Sequence, residues 1–185
     1  QSYNRGIPVE ELRQVGTASS SGTKICFMPD KDVFETDDFN FGILSNRLRE
    51  LSFLNKGLII TIEDERSDKR NRFQYDGGIV SFIEHLAKNK QPLHPTPIYF
   101  EGSRDNVVVE VALQYHDGYN ETIFSFANNI NTHEGGSHLS GFRGALTRTI
   151  NNSVADKAPK GQKISLSGED VREGLIGVIS VKVPD

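Results

Sequence analysis

The sequence predicts an α+β fold in which helices pack on one side of a β-sheet. Two observations support this class: several segments carry apolar residues at helical spacing, and runs of β-branched and apolar residues lie between them. The 185 residues, 36% hydrophobic and 25% charged, are ordinary for a globular protein and suffice for one or two domains. No apolar run approaches about 18 residues, so we expect no transmembrane helix and no membrane partner.

The first predicted element is a short strand at residues 22–27, which is rich in β-prone residues. Cys26 lies in this run without a basic neighbour on its own face, so we expect a buried small hydrophobe. It is the single cysteine of the chain, which excludes an internal disulfide and favours a reducing, cytoplasmic compartment.

A helix and a hairpin are predicted next. The apolar stripe of the helix consists of Leu44, Leu48 and Leu51, at positions i, i+4 and i+7. We expect Asp37 or Asp38 to cap its N-terminus and Gly57 to end it in the left-handed conformation. Residues 58–62 predict a strand, and the charged turn after it returns the chain through residues 72–75.

The glycines of Asp76-Gly77-Gly78 interrupt the pattern, and we place a domain boundary there, between residues 1–78 and 79–185. Apolar residues at helical spacing from Ile79 to Leu86 predict a second helix. Three prolines between residues 92 and 97 make a stiff connection that cannot continue it.

Three strands follow, at residues 98–100, 107–115 and 122–127. Apolar residues alternate along the middle strand, so one of its faces is apolar. Turn residues at 104–106 and 116–118 separate the strands, which predicts an antiparallel meander.

The last third of the chain predicts a helix at residues 139–152 and a polar, mobile segment at 153–163. Ser167 and Asp170 stand three residues apart, the spacing of a capping box, which predicts a short helix there. A closing strand is predicted at residues 175–183.

Charge is unevenly distributed, although 25 acids against 21 bases give a net charge of only −4. Residues 30–38 hold five acids and one lysine, whereas residues 138–163 hold five bases and one acid. The basic segment includes Arg143 and Arg148 on the predicted helix. It is either ordinary solvated surface or a face for a polyanion, and composition alone leaves both open.

Two tempting motifs fail on spacing. Residues 16–24 place five residues between glycines and a threonine before the lysine, which does not match a phosphate-binding loop. His133 and His138 are five apart with two glycines between them, whereas the zinc-protease helix needs histidines four apart. We therefore assign no catalytic residue and no metal ligand from the residues alone.

Several segments together resemble the B subunits of DNA gyrase, a family of type II topoisomerases. They include Tyr75-Asp76-Gly77-Gly78-Ile79 and Glu134-Gly135-Gly136-Ser137-His138. The other matching segments are residues 48–55, 109–115, 126–130, 146–151, 168–175 and 178–185. They stand in the family's order and spacing from about Gly22 to the last residue, and the paralogous topoisomerase IV subunits look similar.

The resemblance implies that residues 1–78 are the end of a GHKL-type ATPase domain, with a helix on a mixed sheet. Residues 79–185 would open the transducer domain, whose family fold is a ribosomal-protein-like left-handed βαβ unit. Such a left-handed crossover is a rare exception to the usual rule.

The resemblance also implies the activity of the parent: ATP-dependent negative supercoiling by double-strand passage. ATP and Mg²⁺ are then the cofactors, and DNA, the gyrase A subunit and a second B subunit are the partners. The Mg²⁺-binding Asn, the water-activating Glu, the adenine-binding Asp, the glycine-rich lid and the Gln-Thr-Lys run of the family lie outside this sequence. We therefore expect the chain alone neither to bind nucleotide tightly nor to hydrolyse ATP. The alternatives are a topoisomerase IV fragment or a non-catalytic nucleic-acid-binding module.

Residue by residue, the resemblance implies two candidate sites. Gly22 and Thr23 match the family's strand at the floor of the adenine pocket, and Ile25 would be an apolar wall. The other reading of Thr23 is a buried strand residue satisfied by backbone. Arg143 and Arg148 fall on the transducer helix that borders the cavity for the transported duplex, where arginines attract phosphates without sequence preference.

Overall fold

The computed structural model describes residues 1–26, 30–36, 38–159 and 164–184. Their contacts form two units, Gln1–Asn40 and Phe41–Asp185. In the first unit, strands β1 (Tyr3–Asn4) and β2 (Ile7–Pro8) make a small antiparallel hairpin. The other described residues of that unit belong to no helix or strand, and almost all of them are exposed.

The strand predicted at residues 22–27 is wrong for residues 22–26, and Phe27 lies outside the described residues. Cys26 is exposed rather than buried. An extended segment becomes a strand only when a partner satisfies its backbone groups, and the described hairpin of this unit uses residues 3–8 alone. β-propensity without a partner strand therefore misled the sequence-based expectation.

The second unit begins with helix α1, Phe41–Leu54. Asp38 lies three residues before it and is not its N-cap, while Asp37 lies outside the described residues. Gly57 has φ of 77°, the left-handed conformation predicted at the helix end. The predicted hairpin is confirmed and consists of the antiparallel strands β3 (Ile60–Asp64) and β4 (Lys69–Phe73).

Helix α2, Ile79–Ala87, shares a core with α1. The Phe53 ring lies 3.8 Å from the Tyr75 ring and 4.7 Å from the Phe82 ring, measured between centroids. Residues before and after position 78 thus belong to one apolar cluster, and the compact units divide between residues 40 and 41. The family-based boundary after residue 78 stays a prediction.

A five-stranded mixed sheet occupies the rest of the second unit. Its strands are β5 (Ile98–Arg104), β6 (Val107–Tyr115), β7 (Thr122–Ala127), β8 (Ile130–Asn131) and β9 (Leu175–Lys182). The order is β5-β6-β9-β7-β8. Strand β9 is antiparallel to β6 and parallel to β7, so the α+β class with a mixed sheet is confirmed.

The predicted antiparallel meander is wrong, because β9 lies between β6 and β7. Residues 116–121 carry the chain from β6 past β9 to β7. Gly174, directly before β9, has φ of 70°, and a Cβ there would collide with the backbone oxygens of His116 and Gly118. This glycine lets the connecting segment pass close to the start of β9.

Helix α3 (Ser137–Lys157) and helix α4 (Gly168–Arg172) connect β8 to β9. Helix α3 is longer than predicted, so residues 153–157 are helical rather than polar loop, and residues 160–163 lie outside the described residues. The parallel pair β7 and β9, joined through α3, forms a βαβ unit whose left-handedness stays a prediction.

Helices cover both faces of the sheet, not one face as predicted. Helices α1 and α2 pack on the face that carries Ala112, Ile176 and Val178, and α3 packs on the face that carries Val111 and Ile179. The cause is β9, whose first seven residues are all buried, since a central strand presents apolar side chains to both faces. No helix within the described ranges is long and apolar enough to cross a membrane.

Candidate functional site

The three residues predicted for the adenine site lie in the first unit. Gly22, Thr23 and Ile25 are exposed and outside any strand, and the Ile25 side chain is 78% exposed. Within the part of the chain that the structure describes, no group of three or more His, Cys, Asp or Glu could hold a metal ion. Within the described residues, these three positions are therefore open to solvent, and no metal-binding cluster accompanies them.

Arg143, one of the two arginines predicted to face DNA, lies on α3 and is already paired. Its Nε and Nη2 atoms both donate to Oε1 of Glu121, at 2.9 and 2.7 Å. The side chains are 41% and 27% exposed, respectively, so solvent reaches the pair. Arg143 thus lies at the surface with part of its charge neutralised.

The other oxygen of the same carboxylate binds a second arginine. Arg172, the last residue of α4, donates from Nε to Oε2 of Glu121 at 3.1 Å, and its side chain is only 16% exposed. Glu121 directly precedes β7, so this cluster joins α3 and α4 to the connection that enters β7. We call Glu121, Arg143 and Arg172 the arginine–glutamate cluster.

Arg148, the second predicted arginine, lies elsewhere on α3. At 100° per residue, five residues separate it from Arg143 by about 140° around the helix axis. It is exposed and makes no ion pair or hydrogen bond with the described residues. A Cβ atom added at Gly141 or Gly144, on the same side of α3, would meet nothing within 4 Å, so this side of the helix is open. The structure therefore does not bring the two arginines together.

Polar contacts fix the far end of α3 to the segment before α4. The Asn151 amide donates to the Leu166 carbonyl at 3.0 Å and accepts from the Leu166 N–H at 2.8 Å. The predicted capping box is confirmed, since Ser167 and Asp170 exchange both hydrogen bonds. Hydrogen bonds from Ser167 hold the pKa of Asp170 below its usual range.

A polar cleft of about 540 Å³ lies where the connection between β6 and β7 passes the segment after α2. His116 is 6% exposed there; its Nδ1 accepts from the Gly118 N–H at 2.9 Å. The Lys90 Nζ atom lies 3.4 Å from its Nε2. Burial, and then the Lys90 charge, lower the pKa of His116.

The two histidines excluded as zinc ligands show different environments. His138, in the first turn of α3, has its Nε2 atom 3.1 Å from the Thr132 hydroxyl, as expected for hydrogen bonding at a helix start. His133 is exposed in the preceding turn.

A comparison with protein families decides the identity of this fold. A family model described as DNA gyrase B matches residues 78–185, more than half of the chain. The chain belongs to the DNA gyrase B family. Among relatives, a DNA gyrase B subunit from Myxococcus xanthus is 55% identical over 185 residues, which cover 99% of this chain and 23% of that protein.

Solved structures agree with this membership of the gyrase B family. The 43K ATPase domain of Thermus thermophilus gyrase B, crystallised with an aminocoumarin, has a TM-score of 0.74 and 34% identity, covering 85% of this chain and 43% of that one. The topoisomerase IV ATP-binding domain of Francisella tularensis, with a TM-score of 0.67 and 21% identity over 85% of this chain and 42% of its own, shows likeness of fold alone. The chain spans less than half the length of each of these proteins.

Sequence reasoning missed Glu121 and Arg172. They lie 22 and 29 residues from Arg143 in the sequence, and no local pattern links the three. Another missed feature had a signal: Asn128-Asn129, with φ of 47° and 66°, forms the two-residue turn between β7 and β8. Asparagine pairs at such a position are typical of hairpin turns.

Proposed function

We propose that this chain is the coupling portion of the B subunit of DNA gyrase, an ATP-dependent type II topoisomerase that introduces negative supercoils by passing one duplex through another. The observation that carries the proposal is the 55% identity to a gyrase B subunit across 99% of the chain. The proposal includes ATP and Mg²⁺ as cofactors of the whole subunit. Its partners are DNA, the gyrase A subunit and a second B subunit, in the cytoplasm.

Within that machine, residues 79–185 open the transducer domain, which relays force, and the α3 surface faces DNA. Arg143 and Arg148 supply sequence-independent attraction to phosphates. The surface position of both arginines on α3 supports the DNA-facing role. Gly22, Thr23 and Ile25 remain the proposed floor and wall of an adenine pocket that other parts of the subunit would complete.

A chimera tests the proposal. Residues 1–185 replace the matching segment of the Myxococcus xanthus gyrase B subunit, and the product is combined with gyrase A and relaxed plasmid. We expect ATP-dependent negative supercoiling, read as a shift of the topoisomer distribution on a gel. A chimera that folds and hydrolyses ATP but never changes plasmid linking number would contradict the proposed function.

A second experiment compares ATP hydrolysis by the isolated chain with that of the chimera. The resemblance predicts that the purified 185-residue chain does not turn over ATP with Mg²⁺, whereas the chimera does. Steady-state release of inorganic phosphate from the two proteins provides the comparison. Turnover by the isolated chain would overturn the assignment of the hydrolytic residues to other parts of the subunit.

A further inference from the structure

The arginine–glutamate cluster divides one carboxylate between two guanidinium groups. Arg143 directs two N–H donors at Oε1 of Glu121, and Arg172 directs one at Oε2, all within 3.1 Å. The three side chains come from α3, α4 and the connection before β7, so the fold rather than local sequence brings them together. The cluster keeps a net charge of +1, because two guanidinium groups face one carboxylate.

The Glu121 carboxylate, which lies between the two guanidinium groups, resembles a DNA backbone phosphate in charge and shape. A carboxylate and a phosphodiester each carry one negative charge and offer two outward oxygens to guanidinium donors, and arginine binds both groups with the same planar fork. Two arginines already converge on the position. A phosphate oxygen pair entering from solvent would meet donors that need little rearrangement.

Exposure makes the exchange possible. The side chains of Arg143 and Glu121 are 41% and 27% exposed, whereas that of Arg172 is 16% exposed. The Arg143–Glu121 pair is the one that solvent reaches, and such exposed ion pairs contribute little to stability, so this half of the cluster can open at low cost. Arg172 is therefore the more buried of the two arginines, and Arg143 is the one that faces solvent.

We propose that Arg143 and Arg172 form a binding site for a DNA backbone phosphate and that Glu121 occupies this site, competing with DNA. The inference rests on the proposed function, because it specifies how the DNA-facing helix α3 takes its ligand. It adds Arg172, which is not on α3, to the phosphate contacts. It also makes Glu121 an internal competitor.

The test measures binding of a random-sequence duplex to the full-length chimera at several salt concentrations. Glu121→Gln removes the competing charge, and we expect about 3- to 10-fold tighter binding, as the release of one further counterion provides. The slope of log affinity against log salt should steepen by about 1. Glu169→Gln is the matched control: Glu169 is an exposed acid on α4 without an ion pair to the described residues. Its effect should stay below about twofold.

Arginine variants separate failure of the inference from failure of the proposed function. Arg143→Gln should weaken binding, and if it does not, the DNA-facing role of Arg143 falls together with the inference. The gain from Glu121→Gln should shrink in a background of Arg143→Gln or Arg172→Gln. A gain that persists in both backgrounds overturns the phosphate site, because it would then reflect only net charge.

One further outcome would overturn the inference while leaving the proposed function intact. If Glu121 only holds Arg143 in place for DNA, Glu121→Gln weakens binding rather than strengthening it. Thermal unfolding of each variant confirms that the helices remain folded. Should Glu121→Gln fail to fold, Glu121→Asp replaces it, because the shorter carboxylate reaches the two guanidinium groups less well. We then expect a smaller gain, and no gain overturns the competition.

Discussion

The two faces of the five-stranded sheet are covered in different ways. On one face, α1 and α2 bury Phe53 and Ile83 completely, and an aromatic series runs from Tyr75 through Phe53 and Phe82 to the sheet. On the other face, α3 has 21 residues and none of them is fully buried. Its apolar contacts with the sheet come from Leu139, Phe142 and Leu146, which are only partly buried.

The difference separates a firmly packed face of the sheet from a lightly packed one. Burial fixes α1 and α2, whereas α3 depends on a narrow apolar seam and on polar contacts at its sides, such as Asn151 with Leu166. Elements that move or bind are drawn from the less stable parts of a structure. Under the proposed function, the α3 face is the one expected to respond when DNA binds.

The strongest test of the comparison is Phe53→Ala, on the firmly packed face. Phe53 is 1% exposed and stacks on two rings, so its loss leaves a cavity that the surrounding helices cannot fill. We expect the free energy of unfolding of the chain to fall by about 3–5 kcal/mol. Urea titration followed by circular dichroism measures it, with Tyr119→Ala, at a residue 82% exposed, as the aromatic control.

A smaller effect is expected from Phe142→Ala, on the α3 face. The ring is only partly buried, so truncation removes part of the apolar contact and lets water fill the space. We expect a loss of about 1–2 kcal/mol. Amide hydrogen exchange should show faster exchange in α3 while α2 keeps its protection. A loss equal to that of Phe53→Ala would mean that the two faces are held equally and that the comparison is wrong.

Some parts of the fold can be predicted from local sequence patterns, and others depend on long-range contacts. The helix starting at Ile79 and the strand at 107–115 follow from local periodicity, because burial of one face imposes a period on the side chains. The order of the strands does not, since β6 and β7 are close in sequence but pair with β9, which begins only at Leu175. The nearly continuous apolar run of β9, interrupted by Ser180, was the available sign of a central strand.

For the candidate site, helical spacing predicts that Arg143 and Arg148 lie on α3, but it does not predict their contacts. Their surroundings depend on long-range contacts, because the partner of Arg143 belongs to the connection before β7. Thr23 illustrates the reverse: a family match names the residue, yet its segment forms no strand in the described unit. Local patterns thus predict which element carries a charge, whereas the tertiary fold decides what that charge meets.

The smallest expected effect concerns His116, in the connection that follows β6, and depends on pH. Burial and the Lys90 charge lower the pKa of His116 below its ordinary value of 6.5, while Asp117 and the backbone at Asn120 act in the opposite direction. The unfolded chain therefore takes up this proton more readily than the folded chain. Stability is fully present above about pH 6.5 and falls as the pH drops through that value.

Asparagine at this position isolates the contribution. In His116→Asn the side-chain oxygen can still accept the Gly118 N–H that Nδ1 accepts now, but the proton uptake disappears. We expect the variant to lose less stability than the parent between about pH 7 and 5, by at most about 1.4 kcal/mol per pH unit, the limit for one proton. The pH dependence of stability that remains in the variant includes a contribution from His85, because burial also lowers the pKa of that residue. A buried imidazole that faces an ammonium group should resist a second positive charge. If urea titrations at each pH gave parallel stability profiles for the variant and the parent, this charge penalty would be absent and the prediction would be wrong.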